Sequence, residues 1–228
     1  MAEAFAVIVA AGRSARMNGA DKQFLELGGR PVLQHTLSTF DKSGIIAGVV
    51  LVVSPESCRV PGPEIFRAWG LKRLIAVVPG GNTRRQSVLN GLLALPFNCC
   101  TVLVHDGARP LVTAEEINAV AFAAGKYGAA TLAVPVKDTV KEADGQGFVA
   151  RTPKREMLWL TQTPQGFFCP LLLEAHRRAG QSADATDDAS LVEAAGHPVK
   201  LVPGSYRNIK ITTPEDIYIA EALIKAAQ

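Results

Sequence analysis

Residues 5–12 read FAVIVAAG, an unbroken apolar run that stops at Gly12. A strand with one wet face alternates apolar and polar residues. A continuous run of this length, closed by a glycine, belongs to a parallel strand covered on both faces. The same signature recurs downstream, with strands expected at 49–53, 74–78, 101–104 and 130–134. Between them lie helical stretches. One opens at Pro31, whose fixed φ suits a first helical turn. Thr83-Arg84-Arg85-Gln86 has the spacing of a capping box and precedes Val88, Leu89, Leu92, Leu93 and Leu95; Thr113 and Glu116 repeat that signal. Late in the chain, 199–202 and 208–211 read as strands, and Thr213-Pro214-Glu215-Asp216 opens a last helix.

Strands alternating with helices place the chain in the α/β class: a Rossmann-like, mainly parallel sheet with helices on both faces. One stretch breaks the rhythm. Residues 137–160 alternate in character and carry two turn signals, Asp144-Gly145 and Gln146-Gly147, so a projecting β-arm is expected there. An isolated hairpin is marginally stable, and a second copy of the chain is a natural surface for it. The expectation is one domain over 1–228, with the arm used for dimerisation.

The composition, 48% hydrophobic and 20% charged, is that of a globular protein with a substantial core. A net charge of +3 is too mild to argue for nucleic acid, whereas local basic clusters around a small anion account for it. The four cysteines lack CxxC spacing, so reduced buried thiols are expected, and the cytoplasm is the default location. Neither a signal peptide nor an apolar run long enough to cross a bilayer is visible.

In open α/β sheets ligands bind beyond the carboxyl ends of the strands. The chemically suggestive residues sit there. Ala10-Ala11-Gly12 runs into Arg13, Ser14, Ala15 and Arg16, with Lys22 soon after. Small residues let phosphates approach the backbone, and Arg16 and Lys22 add positive charge; an ordinary turn with solvated arginines is the alternative. The loop is neither GxxxxGK[ST] nor GxGxxG. Asp106, in His105-Asp106-Gly107-Ala108-Arg109-Pro110, suits Mg²⁺, or else caps the following turn. Arg109 suits phosphate, or a surface ion pair. Gly80, Gly81 and Asn82, followed by Ser87, offer backbone against which a base ring could lie, or form a plain strand-to-helix turn. Lys210, in an apolar context, needs a partner such as a phosphate unless it faces water on an edge strand. No nucleophile–base pair stands out, and phosphoryl-type transfer needs none.

Taken together, AAGxxxRM (10–17), HDGARP (105–110), VPVKDTVK (134–141), TPQ (163–165), ATDDAS (185–190) and NIKITTPED (208–216) resemble the 2-C-methyl-D-erythritol 4-phosphate cytidylyltransferases of the non-mevalonate isoprenoid pathway. The resemblance covers nearly the whole chain, in order. It implies a nucleotidyltransferase that joins CTP to methylerythritol phosphate and releases pyrophosphate, with Mg²⁺ bound at Asp106. It implies charge stabilisation by Arg16 and Lys22, and cytidine contacts from Ala10, Ala11, Gly12, Gly80, Gly81, Asn82 and Ser87. Lys210 would position the substrate phosphate, and Arg109, Asp138, Thr139, Thr163 and Thr186 would surround the acceptor. Arg155, on the arm, would reach the active site of a partner subunit in a homodimer. The chain departs from the family pattern at Ser14 and Ala15, and in an Arg16–Lys22 spacing one residue shorter. Some relatives carry a fused cyclising domain; with the chain ending at Gln228, that activity is expected to be absent. Two rivals stand beside this reading: a cytidylyltransferase for another polyol phosphate such as ribitol 5-phosphate, and an inactive nucleotide-binding regulator, whose mark would be loss of Lys22, Asp106 or Lys210.

Overall fold

The computed structural model describes residues 3–12, 22–59, 63–179 and 186–226. In chain order the elements are β1 (Ala4–Ala10), β2 (Glu26–Leu27), β3 (Arg30–Pro31), α1 (Val32–Lys42), β4 (Ile46–Val53), α2 (Pro55–Arg59), α3 (Pro63–Ala68) and β5 (Leu74–Pro79). Then come α4 (Arg84–Leu93), β6 (Thr101–Asp106), α5 (Ala114–Tyr127), β7 (Ala129–Pro135), β8 (Glu142–Ala143) and β9 (Val149–Arg151). A short 3₁₀ turn (Arg155–Met157) leads to β10 (Trp159–Phe168), α6 (Cys169–Arg178), α7 (Asp188–Ala194), β11 (Lys200–Pro203) and α8 (Glu215–Lys225).

Seven strands form the central sheet in the order β11-β7-β10-β6-β1-β4-β5. All neighbours pair in parallel except β10, which runs antiparallel to both β6 and β7. The unbroken apolar runs reflect burial on two faces. On β1, Ala6 and Ile8 point to a core shared with α1 and α5, whereas Val7 points to a second core shared with α4, α6 and α7. Chain flow explains where a cleft must lie. From β1 the chain builds outward through β4 to β5, then returns to place β6 on the other flank of β1. That reversal leaves a crevice beyond the carboxyl ends of β1 and β6, the place where open α/β sheets bind ligands.

Local signals behave largely as expected. At α5 the capping box is complete, with Thr113 accepting from Glu116 N and Glu116 accepting from Thr113 N. At α4 it is modified: Thr83 accepts from Gln86 N, but the Gln86 amide reaches past Thr83 to Asn82 N. The segment 208–211 is not the strand that its apolar pattern suggests. The side chain of Asn208 instead bonds the backbone of β10 at Thr163 O, and only Ile211 N makes a long-range backbone bond, to Ala108 O.

The arm at 137–160 contains the two-stranded sheet β8–β9, closed by Asp144, whose carboxylate accepts from Gln146 N and Phe148 N. Its end differs from expectation, because residues 159–160 already belong to β10 of the central sheet. The arm exposes Val140, Phe148, Val149 and Met157 to solvent.

Helix α4 approaches the sheet through Gly91, where an added Cβ would stand 2.4 Å from Val7 Cγ1 and 2.9 Å from Val52 Cγ2. In an open helix Gly→Ala is stabilising. Here Gly91→Ala is expected to overpack the core and lower stability by about 1–3 kcal/mol in denaturant unfolding; a neutral or stabilising result would show that α4 moves freely off the sheet.

Candidate active site

A cleft of about 510 Å³ opens at the expected crevice, within the size range of small-molecule sites. Its walls come from consecutive strand ends. Ala11 and Gly12 follow β1, Ser54 and Pro55 follow β4, Gly80 and Gly81 follow β5, and Asp106 ends β6. Lys22, Asn82, Arg84, Ser87 and Lys210 are also among the lining residues. Ala10 lies just behind, buried in the core.

The wall at 80–87 is built from backbone. Gly80 N donates to Val53 O at 2.7 Å. Ser87 Oγ accepts from Gly81 N and donates to Thr83 O. An added Cβ at Gly80 would fall 2.3 Å from Ala11 Cβ, and one at Gly81 2.3 Å from Gln86 Cγ. No side chain larger than hydrogen fits, so a flat ligand would meet peptide groups here.

The floor is electrostatic. Asp106, almost fully buried, has Lys210 Nζ at 2.8 Å from Oδ2, Arg109 Nε at 3.7 Å from the same oxygen, and Arg84 Nε at 3.7 Å from Oδ1. Burial opposes ionisation of its carboxyl, but Lys210, Arg84 and Arg109 outweigh it and hold the pKa well below the usual carboxylate range. Asp106 is therefore a fixed anion. The partner that Lys210 required is this carboxylate, and the segment that carries the lysine is pinned by Arg109, which donates to Asn208 O at 2.7 Å.

A second tier holds the floor. Thr163 Oγ1 accepts from Asp106 N at 3.0 Å and donates to His105 Nδ1 at 3.1 Å, and His105 Nε2 donates to Arg109 O at 3.3 Å. In the neutral imidazole Nε2 carries the proton for Arg109 O, and Nδ1 is left to accept from Thr163. Burial is the main cause that pushes the His105 pKa down to about 3, aided by Arg109 and Lys210 and opposed by Asp106.

Among the described residues no cluster of three or more His, Cys, Asp or Glu is placed to cage a metal. A single carboxylate at the end of a strand still fits Mg²⁺, which takes one or two carboxylates and completes its shell with water and substrate phosphates.

Several expected site residues lie elsewhere. Arg16 and Ser14 fall outside the described residues. Arg155, Asp138 and Thr139 are exposed on the arm, where Arg155 donates to Lys137 O, and Thr186 is exposed ahead of α7; none of these lines the cleft. Arg84 was missed. A cation in the first turn of a helix opposes the macrodipole, a conflict that points to a nearby anion.

Comparison with known proteins agrees with this architecture. The family model described as IspD, 2-C-methyl-D-erythritol 4-phosphate cytidylyltransferase, matches residues 4–226. The chain belongs to this family. It is 54% identical to the 2-C-methyl-D-erythritol 4-phosphate cytidylyltransferase of Pelotomaculum thermopropionicum, over 98% of this chain and 94% of that protein. It is also 55% identical to the bifunctional enzyme IspD/IspF of Desulforudis audaxviator, over 98% of this chain but 57% of that longer protein. Among solved structures it superposes on the 4-diphosphocytidyl-2C-methyl-D-erythritol synthase of Anaerococcus prevotii with a TM-score of 0.87 and 34% identity, covering 98% of this chain and 96% of that one. The cleft that the family member presents here is thus framed by its glycine wall and its carboxylate floor.

The neutral His105 has a consequence for stability. Its contribution is complete above the unfolded-state value of about 6.5 and is lost as pH falls toward about 3, because the unfolded chain takes up the proton first. His105→Asn is expected to flatten the acid limb of the stability curve between pH 6.5 and 5 by about 1 kcal/mol per pH unit. Parallel slopes for both proteins in denaturant titrations would remove the imidazole from that account.

Proposed function

We propose that this chain transfers the cytidylyl group of CTP to 2-C-methyl-D-erythritol 4-phosphate. An oxygen of the acceptor's phosphate attacks the α-phosphorus in line, a new P–O bond forms, and the bond to the β-phosphate breaks to release pyrophosphate. The observation that carries this reading is the cleft floor in a member of this family: a fixed anion, Asp106, ringed by cations and facing a backbone wall. Nothing specific favours ribitol 5-phosphate or an inactive regulator; Lys22, Asp106 and Lys210 are all in place.

The roles divide by position. The cytosine ring lies against Ala11, Gly12, Gly80 and Gly81, with Ala10 behind and Asn82 and Ser87 at the edge, so peptide groups read the base. Lys22 reaches the triphosphate from the cleft wall, and Arg16 joins it in stabilising charge that grows on the α-phosphate and the leaving group. Lys210 and Arg109 draw the acceptor's phosphate toward the floor, and Thr163 supports Asp106 from beneath. Asp106 would hold Mg²⁺, which when bound would neutralise phosphate charge.

Arm residues Asp138, Thr139 and Arg155 stand outside their own cleft, and the arm carries exposed apolar side chains. That combination supports a homodimer in which each arm packs on its partner and brings Arg155 and Thr139 to the partner's acceptor site. Thr186, just ahead of Asp187 and Asp188, is assigned to the same acceptor by the resemblance to the family. The chain acts as one catalytic domain. No helix among the described residues is long and apolar enough to cross a membrane, and with free cysteines and a small anionic substrate we place the reaction in the cytoplasm.

Pyrophosphate release is expected with CTP, Mg²⁺ and methylerythritol phosphate; preference for ribitol 5-phosphate would overturn the choice of acceptor. Lys22→Ala and Arg16→Ala should each slow turnover by about a hundredfold or more, and near wild-type rates would remove the residue concerned from the mechanism. Arg155→Ala should slow turnover with CTP affinity nearly intact. Mixing Arg155→Ala and Lys22→Ala subunits should restore part of the activity, and no recovery would refute the cross-subunit role.

A further inference from the structure

Arg84 and Asp188 meet across 104 residues of chain, at 2.7 Å from Arg84 Nη1 to Asp188 Oδ2. Asp188, in the ATDDAS stretch, has no solvent exposure at all. Its other oxygen accepts from His176 Nε2 at 3.3 Å, and its backbone N–H donates to Gln165 Oε1 at 3.1 Å. Burying a carboxylate costs several kcal/mol unless paired and hydrogen-bonded. An arginine merely solvated at the rim of a cleft would need no such counterpart. The arrangement makes sense if the location of the guanidinium matters.

The other edge of that guanidinium faces the floor. Arg84 Nε stands 3.7 Å from Asp106 Oδ1, while Lys210 holds Oδ2 at 2.8 Å. At 3.7 Å the Arg84 contact is an ion pair and too long for a hydrogen bond. It aligns Oδ1 by charge while leaving the lone pairs on that side to a ligand. Lys210 fixes one edge of the carboxylate by a bond, and Arg84 fixes the other by its field.

We propose that Arg84, clamped from behind by buried Asp188, is a positioning residue that sets the orientation of the Asp106 carboxylate in the cleft. The proposal rests on the functional reading above, in which Asp106 would hold Mg²⁺ beside the nucleotide. It separates Arg84 from a simple phosphate-binding cation. Asp188→Asn removes the clamp and keeps the arginine's charge, so a mere phosphate contact would survive or strengthen, whereas a positioning role would be lost.

The test is calorimetric binding of CTP, with and without Mg²⁺, to the full-length wild type, Arg84→Gln, Arg84→Lys and Asp188→Asn, alongside steady-state turnover. Outer partners of a ligating group typically contribute about 10–100-fold in metal affinity or activity. Arg84→Gln and Asp188→Asn are therefore each expected to reduce the affinity gained from Mg²⁺ by about tenfold or more, and to lower kcat more than they raise KM for the acceptor. Their combination should be little worse than either alone. Arg84→Lys, which keeps a charge but loses the fork, should fall between. Retention of the full Mg²⁺ gain in Arg84→Gln and Asp188→Asn would overturn the proposal and leave the functional reading standing. If Asp188→Asn does not fold by circular dichroism, the two Arg84 variants decide by the same measure. A wild-type protein that binds no CTP would overturn the functional reading and this inference together.

Discussion

One buried carboxylate organises the molecule. Asp106 ends a central strand with almost no access to water, and a charge in that position is tolerated only where opposite charges and donors surround it. The compensation comes from separate segments: Arg84 from the start of α4, Arg109 from the turn after β6, Lys210 from the loop before α8, and Thr163 from β10. Three of the four are anchored in turn, Arg84 by Asp188, Arg109 by Asn208 O, and Thr163 by His105. These contacts tie four separate segments of the chain to one carboxylate.

The antiparallel strand β10 is what allows this. A parallel neighbour on that side of β6 would need a crossover connection. Because β10 enters from the arm and runs the other way, it sets Thr163 under Asp106 and then places Gln165 where its amide caps α7 through Asp188 N and Ala189 N. The arm and the floor of the cleft are therefore successive parts of one strand-bearing segment.

How much of this could be read from the sequence follows from the range of each interaction. Short-range signals were legible: the double-sided apolar strands, the Thr113–Glu116 box, and the placement of Gly12, Gly80 and Asp106 at strand ends. The chemistry of the floor was half visible, since Lys210 announced the need for a partner without naming Asp106. Strand β10 was hidden because its buried centre is polar: Gln162, Thr163 and Gln165 look like a loop until their partners Asn208, His105 and Asp187 are brought in. The same residues explain the opposite error at 208–211, where the Asn208 side chain makes bonds that a strand would make with backbone. Arg84 read as part of a helix cap because its anions lie on other elements, 22 and 104 residues away.

The glycine wall has a consequence for how such a site can change over time. Between Gly80 and Ala11 there is no room for even a methyl group, since the added carbon would sit 2.3 Å from its neighbour. Selectivity that resides in the path of the main chain is closed to the ordinary route of variation, one side chain at a time. Altering which flat ligand this surface accepts would require a loop of different length or course, a rarer event than a point substitution. The charged floor, built from replaceable side chains, has no such protection, so drift in this fold should reach the phosphate end of the cleft before the end that faces the wall.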